Sequence, residues 1–356
     1  MKPDQLLTAS DVAPVRVGRW SLAATGATGT TVAGLAVLAA VPYFAGGPAE
    51  QPLIVAYTFI AMAATWNLLA GFSGLISFGQ HAYIGVGAYG LYLVASHGMN
   101  PFAGIAAAAV IAAAVSLPVS VLLLRLSGGY FAVASLVVAA VCQIAVTLAP
   151  SVGGTTGVSL PGLSGYDPVL REALIYWAAM IVAVVCVAGV FLLVRAGFGM
   201  DARAVAGDPV AAASLGVRVG QIRRLAYLVA ALGAGAAGAL IALQSLFIEP
   251  TSIFSVQYSV EMLFMVLVGG MGTIEGPVIG AIILFALQQW LSQDGAWYFV
   301  LVGGIAVLAT LVVPKGIWGF VSSRWNWSLF PVGYRVRDQR GSPRHWLAAY
   351  RRGAGR

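Results

Sequence analysis

The chain has 356 residues, 60% of them apolar and only 9% charged, against roughly 45–50% and about 25% in ordinary soluble domains. So little charge cannot clothe a soluble fold, and most of this surface must face lipid. The net charge of +7 does not mark a nucleic-acid binder, because nine of the 19 basic residues follow Val313, the pattern of a cytoplasmic tail beside membrane spans.

Residues 1–20 are polar and mixed in charge, and the apolar stretch behind them is span-length. They form a cytoplasmic leader rather than a cleavable signal. A span needs about 20 apolar residues at 1.5 Å each. Runs of that kind lie near 21–44, 52–70, 81–96, 102–124, 129–149, 172–194, 223–243, 259–271, 277–292 and 297–313. The third, eighth and ninth are short and glycine-interrupted, as broken or re-entrant segments are. The expected fold is an all-α polytopic bundle of about ten spans (eight to ten). Its membrane body covers 21–313, and a basic cytoplasmic tail covers 314–356.

With ten crossings and a cytoplasmic N-terminus, Lys2, Arg16, Arg19, Arg125, Arg195, Arg203, Arg218, Arg223, Arg224 and the whole tail fall inside. Of the basic residues only Arg171 falls outside, together with Glu50, Asp167, Glu172, Glu249 and Asp294. This is the asymmetry that orients membrane proteins. Small residues at helical spacing, Gly233, Ala237 and Gly238 among them, suit close helix packing in lipid. Cys142 and Cys186 both sit in apolar runs and make no disulfide framework.

Two glycine-rich passages interrupt apolar runs: Gly71-Phe72-Ser73-Gly74-Leu75-Ile76-Ser77-Phe78-Gly79 and Gly269-Gly270-Met271-Gly272-Thr273-Ile274-Glu275-Gly276-Pro277. Paired interruptions point to a transporter binding region. The longest internal polar stretch, a loop over 195–222, contains a compact helix signature. Asp208 is a preferred N-cap, Pro209 suits the first helical position, and Gly216 can close the helix. So short a helix is stable only when packed. It is either part of an ordinary loop on the membrane surface or a docking helix with Ala211, Ala212 and Leu215 as anchors. The outer segment 152–158, with Thr155 and Thr156, either faces substrate or simply turns between spans.

Several activities are disfavoured. Lys2 and Lys315 are the only lysines, and neither follows a P-loop. His81, His97 and His345 are scattered, without metal-ligand spacing. No catalytic residue or metal site is expected. Glu261 and Glu275 lie near late helical boundaries and His81 lies beside the first break. An otherwise nearly uncharged interior disfavours ion coupling.

The segment 71–90, with Ser77-Phe78-Gly79-Gln80-His81 and Gly85-Val86-Gly87-Ala88-Tyr89, resembles a signature of the permeases of high-affinity branched-chain amino acid ABC transporters. Gly129-Tyr130-Phe131-Ala132, Gly153-Gly154-Thr155-Thr156-Gly157, Arg203-Ala204 through Leu215-Gly216, and Val268 to Thr273 with Gly276-Pro277 are similar to further motifs of that family, in order. The likeness is closer to its M-type than to its H-type subunit. It implies an importer subunit of the bacterial inner membrane with both ends cytoplasmic. Its partners would be a second, related permease in a heterodimer, two cytoplasmic ATP-binding subunits and an extracytoplasmic solute-binding protein. ATP and Mg would be bound by those partners, with no cofactor here. The resemblance also implies ATPase coupling through Arg203, Asp208, Pro209, Ala211, Ala212, Leu215, Gly216 and Arg218. The pathway would run past Gly71, Ser73, Gly74, Ser77, Gly79, Gln80, His81, Thr155, Thr156, Gly269, Gly270 and Gly272. An ion-coupled transporter or a channel without an ATPase is the competing reading.

Overall fold

The computed structural model describes residues 16–18, 33–44, 47–163, 165–291, 296–313, 316–325 and 335–337. The chain divides into two compact units, Val32–Trp327 and the joined termini Met1–Thr31 with Ser328–Arg356. In the terminal unit, strand β1 (Arg16–Gly18) pairs antiparallel with a strand at Arg335–Arg337, Val17 opposite Val336. The rest of the leader, the basic tail apart from 316–325 and 335–337, and the 21–32 part of the first expected span lie outside the described residues. Of that span, 33–39 and Val41–Phe44 are helical.

The described residues of the larger unit are mostly helical, as the apolar runs require. Its elements are α1 (Gly47–Asn67), α2 (His81–Ser96), α3 (Pro101–Leu123), α4 (Gly129–Thr147), α5 (Pro168–Arg195), α6 (Gly197–Gly207), α7 (Pro209–Ser214), α8 (Val219–Ser245), α9 (Gln257–Gly269), α10 (Glu275–Leu291), α11 (Ala296–Val312) and α12 (Gly316–Trp325). Among the described residues, six stretches are long and apolar enough to cross a membrane: Glu50–Phe72, Pro101–Leu123, Gly129–Thr147, Pro168–Arg195, Val219–Ser245 and Pro250–Gly269. α2 and α10 are apolar but shorter; α2 begins just after the first glycine-rich passage and α10 within the second. The all-α polytopic bundle is thus the observed fold, with its short members where the glycines interrupt the runs.

α8 is the hub and packs on α3, α2 and α1. Its alanines and glycines permit this: a Cβ on Gly238 would strike the Ile84 backbone, and Gly235 lies against Ala112. Lipid offers no hydrophobic force to hold helices together, so such close approach supplies the packing. Polar rungs cross the same core. The Tyr83 and Tyr227 hydroxyls share a hydrogen bond of 2.9 Å, and so do those of Tyr57 and Tyr176. A two-residue ladder, β2 (Val158–Ser159) on β3 (Phe247–Ile248), ties the loop after α4 to the end of α8. α12 opens the stretch taken from sequence as tail, yet it packs on α9 and α10.

Candidate functional site

The two glycine-rich passages, some 200 residues apart in sequence, meet in space. α1 does not stop at Asn67 but widens into a π-helical turn, Leu68–Phe72. Such turns often lie at functional sites. Broken backbone carries groups that lipid cannot satisfy, and the Asn67 side chain at the head of this turn satisfies two of them in the opposite passage. The Gly272 N–H donates to Asn67 Oδ1 at 2.9 Å, and Asn67 Nδ2 donates to the Thr273 carbonyl at 2.7 Å. Gly71 makes the approach possible, since a Cβ there would overlap both the Asn67 side chain and the Gly272 nitrogen. Gly272 itself has φ +74°, a conformation open chiefly to glycine. Beyond it, Thr273 Oγ1 donates to the Gly270 carbonyl at 2.7 Å and accepts the Gly276 N–H at 3.1 Å, capping α10.

Irregular backbone over 73–80 is held by side chains from elsewhere. Trp66 Nε1 donates to the Ser77 carbonyl at 2.9 Å. Ser135 Oγ on α4 accepts the N–H groups of Phe78 and Gly79, each at 3.1 Å. Ser259 Oγ on α9 shares a hydrogen bond of 2.9 Å with His81 Nδ1 and accepts the His81 N–H at 3.3 Å. The Gln80 side chain is 1% exposed, and neither amide atom has a partner among the described residues.

Of the expected pathway residues, the structure brings together Gly71, Ser73, Gly74, Ser77, Gly79, Gln80, His81, Gly269, Gly270 and Gly272. The Ser73 hydroxyl donates back to the Leu69 carbonyl at 2.6 Å and Ser77 Oγ accepts the Gly79 N–H at 3.3 Å, so both are engaged with the chain. The open space beside the breaks is instead apolar. A groove of about 450 Å³ is lined by Leu75, Ile76, Phe78, Phe131, Leu267 and Met271, among others. Thr155 and Thr156 are not part of this meeting. They are exposed in a single turn, Gly154–Thr156, following α4.

Beneath the first break lies the polar stretch 195–218. It holds two helices, not one: α6, unforeseen from sequence, precedes the expected short helix α7. Asp208 caps α7 as its residue type suggests, Oδ1 accepting from Val210 N at 2.8 Å and Ala211 N at 3.1 Å. Pro209 is the first helical residue. Gly216, at φ +89°, closes the helix, and the Val217 N–H returns to the Ala212 carbonyl at 3.1 Å. Val210 and Leu215 stand 76% and 84% exposed, while Ala211 is also on the open side. Ala212, expected as an anchor, is buried against its own chain; it supports the helix rather than facing outward. Arg203 and Arg218 are exposed. The Arg203 guanidinium lies 5.4 Å from the centre of the Phe72 ring, and a Cβ on Gly74 would approach Ala206 Cα to 3.1 Å. α6 therefore rests directly on the π-helical turn.

Asn67, Trp66, Ser135 and Ser259 escaped sequence reasoning. Nothing local marks them, because the role of each is set by a partner outside its own helix. Glu261 was read as a boundary residue, but its bonds run to two side-chain amides, Gln257 and Gln288.

Residues 49–311 match the family described as branched-chain amino acid transport system / permease component. The chain is 27% identical over 286 residues, 73% of its length and 67% of the relative's, to the high-affinity branched-chain amino acid transport system permease protein LivM of Escherichia coli K12. The protein of the same name from Salmonella typhimurium LT2 is 25% identical over 310 residues, covering 80% of this chain and 73% of the relative. The autoinducer 2 import system permease protein LsrC of Klebsiella pneumoniae is 30% identical over 139 residues, 37% of this chain and 40% of that one. No solved structure matches the chain significantly. With 263 of its 356 residues matched, and with an all-helical bundle in which the matched glycine motifs meet, this chain is a membrane transport subunit belonging to the branched-chain amino acid permease family.

Proposed function

We propose that the chain is one membrane-spanning half of an ATP-driven importer for a small polar solute. Branched-chain amino acids lead, with urea and other small amides or amino acids the same class of cargo. A second, related permease completes the pathway, two cytoplasmic ATP-binding subunits drive it, and an extracytoplasmic binding protein delivers the solute. The observation that carries this reading is the α6–α7 unit. A six-residue helix capped at both ends presents Val210 and Leu215 outward, as a helix that docks in a partner's groove does. Behind it, α6 touches the π-helical turn through Arg203–Phe72 and Ala206–Gly74.

The mechanism follows from that contact. Closure of the ATP-binding subunits displaces α7, and α6 transmits the displacement to the turn at 68–72. Asn67 carries it across to the Gly270–Thr273 backbone, so both breaks move together. This is coupling through rigid elements between two states. The pairing of β1 with the strand at Arg335–Arg337 supports an even number of crossings, since it joins the two ends of the chain. The distribution of basic residues supports a cytoplasmic location for α6, α7 and both ends.

Leu215→Glu places a charge in the docking face at the C-cap of α7, where the cap is made by the backbone N–H and not by the side chain. The expected result is loss of co-purification with the ATP-binding subunits, with membrane insertion unchanged. Normal co-purification of that variant, or uphill uptake by the chain alone on an ion gradient, overturns the proposal.

A further inference from the structure

The coupling machinery leaves the polar interior of α9 unexplained. Glu261 sits in the second turn of that helix, 3% exposed, and neither α9 nor α10 carries a basic residue. Its Oε1 accepts amide hydrogens from Gln257 at 2.8 Å and from Gln288 of α10 at 3.2 Å, while Oε2 has no hydrogen-bond partner among the described residues. An acid within a span is costly, and its retention is by default a functional signal. Two amide donors on one oxygen orient this carboxylate and leave the other oxygen as an acceptor.

Next to it, at the start of α9, is a small polar cleft of about 260 Å³ lined by Thr251, Ser252, Ser255, Gln257 and Tyr258. Two acids stand one hydrogen bond behind its wall. Gln257 leads to Glu261, and Thr251 Oγ1 donates to Glu249 Oε1 at 2.6 Å. Among the described residues the lining contains hydroxyls and an amide but no cation. Such a surface suits a ligand that is small, positively charged and rich in N–H donors.

We propose that this cleft binds the ammonium group of a small amine or amino acid, with Glu261 as its counter-charge and the hydroxyls of Thr251, Ser252 and Ser255 accepting its remaining hydrogens. Gln257 stands between cleft and carboxylate. When its amide turns aside the ammonium takes its place on Glu261, while Gln288 keeps the carboxylate oriented. The importer reading supplies the expectation that the ligand is an amino acid; the preference for an ammonium group rests on the cleft itself.

The test is binding to the full chain in lipid nanodiscs, read by calorimetry, with three probes that share one isobutyl group: L-leucine, 3-methylbutylamine and 4-methylpentanoate. The amine and the amino acid should bind, and the acid should not. Glu261→Gln, which keeps shape and removes charge, should weaken both at least tenfold. Ser252→Leu fills the cleft without touching the carboxylate and should also abolish binding, which guards against a folding defect in the first variant. Equal binding of the acid and the amine, no binding of the amine, or unchanged affinity in both variants overturns the proposal. ATP-dependent uptake by the assembled complex is scored separately. If the chain binds the amine but the complex imports nothing, the importer reading falls and the cleft stands; if it imports leucine without binding the amine, the reverse holds.

Discussion

The two glycine breaks solve the same problem by different means. Over 73–80 the freed backbone is held from outside, by Trp66 of α1, Ser135 of α4 and Ser259 of α9. Over 269–276 it is held mostly from within, by Thr273, and by backbone lying on backbone: a Cβ on Gly269 would overlap the Gly276 carbonyl. One break is a node where three helices report their positions, and the other is a compact hinge. Asn67 is the side chain that joins them. A break held by several helices senses their movement, whereas a self-contained one is carried as a unit.

The largest expected effect comes from filling the contact itself. Gly71→Val drives a branched side chain into the Gly272 backbone, which has no slack. Overpacking against backbone costs about 1–3 kcal/mol or more, and the amount of folded, monodisperse protein on size exclusion should fall at least tenfold. Asn67→Leu comes next. It leaves the Gly272 N–H and the Thr273 carbonyl unpaired at about 1–3 kcal/mol each. We expect assembly with the ATP-binding subunits to persist while ATP-dependent uptake is lost, since the breaks no longer move together; normal uptake sinks the comparison. Ser135→Ala removes the acceptor for two N–H groups and should lower stability by about 1–3 kcal/mol, read as a lower melting temperature. A matching Thr273→Ala should cost less, because its bonds lie within one local turn. The smallest effect is expected for Thr155→Ala with Thr156→Ala. Both are exposed and outside the breaks, so stability should change by no more than about 0.5 kcal/mol. A marked loss would show that the outer loop belongs to the site.

Much of this architecture is local and therefore legible. Asp208, Pro209 and Gly216 announce α7 because capping chemistry acts within a few residues. α6 was hidden because Gly197, Gly199 and Gly207 read as loop and its apolar face is made of small residues. It is a helix because it packs: a Cβ on Gly199 would overlap the Val194 carbonyl, and Ala202 and Val205 are buried. Tertiary packing here overrides propensity.

Hydropathy by itself determined the apolar spans, the all-helical class and the short glycine-flanked members, because a 20-residue apolar stretch in lipid has no other way to satisfy its backbone. It also determined the two breaks, since glycine clusters cannot sustain a regular helix. Only the tertiary structure decided that the breaks meet and that Asn67 joins them across 205 residues. It alone placed Ser135 and Ser259 on the first break and set Glu261 behind a polar cleft. A lone polar residue in an apolar run carries no mark of its partner, and the choice among distant partners is made by helix packing.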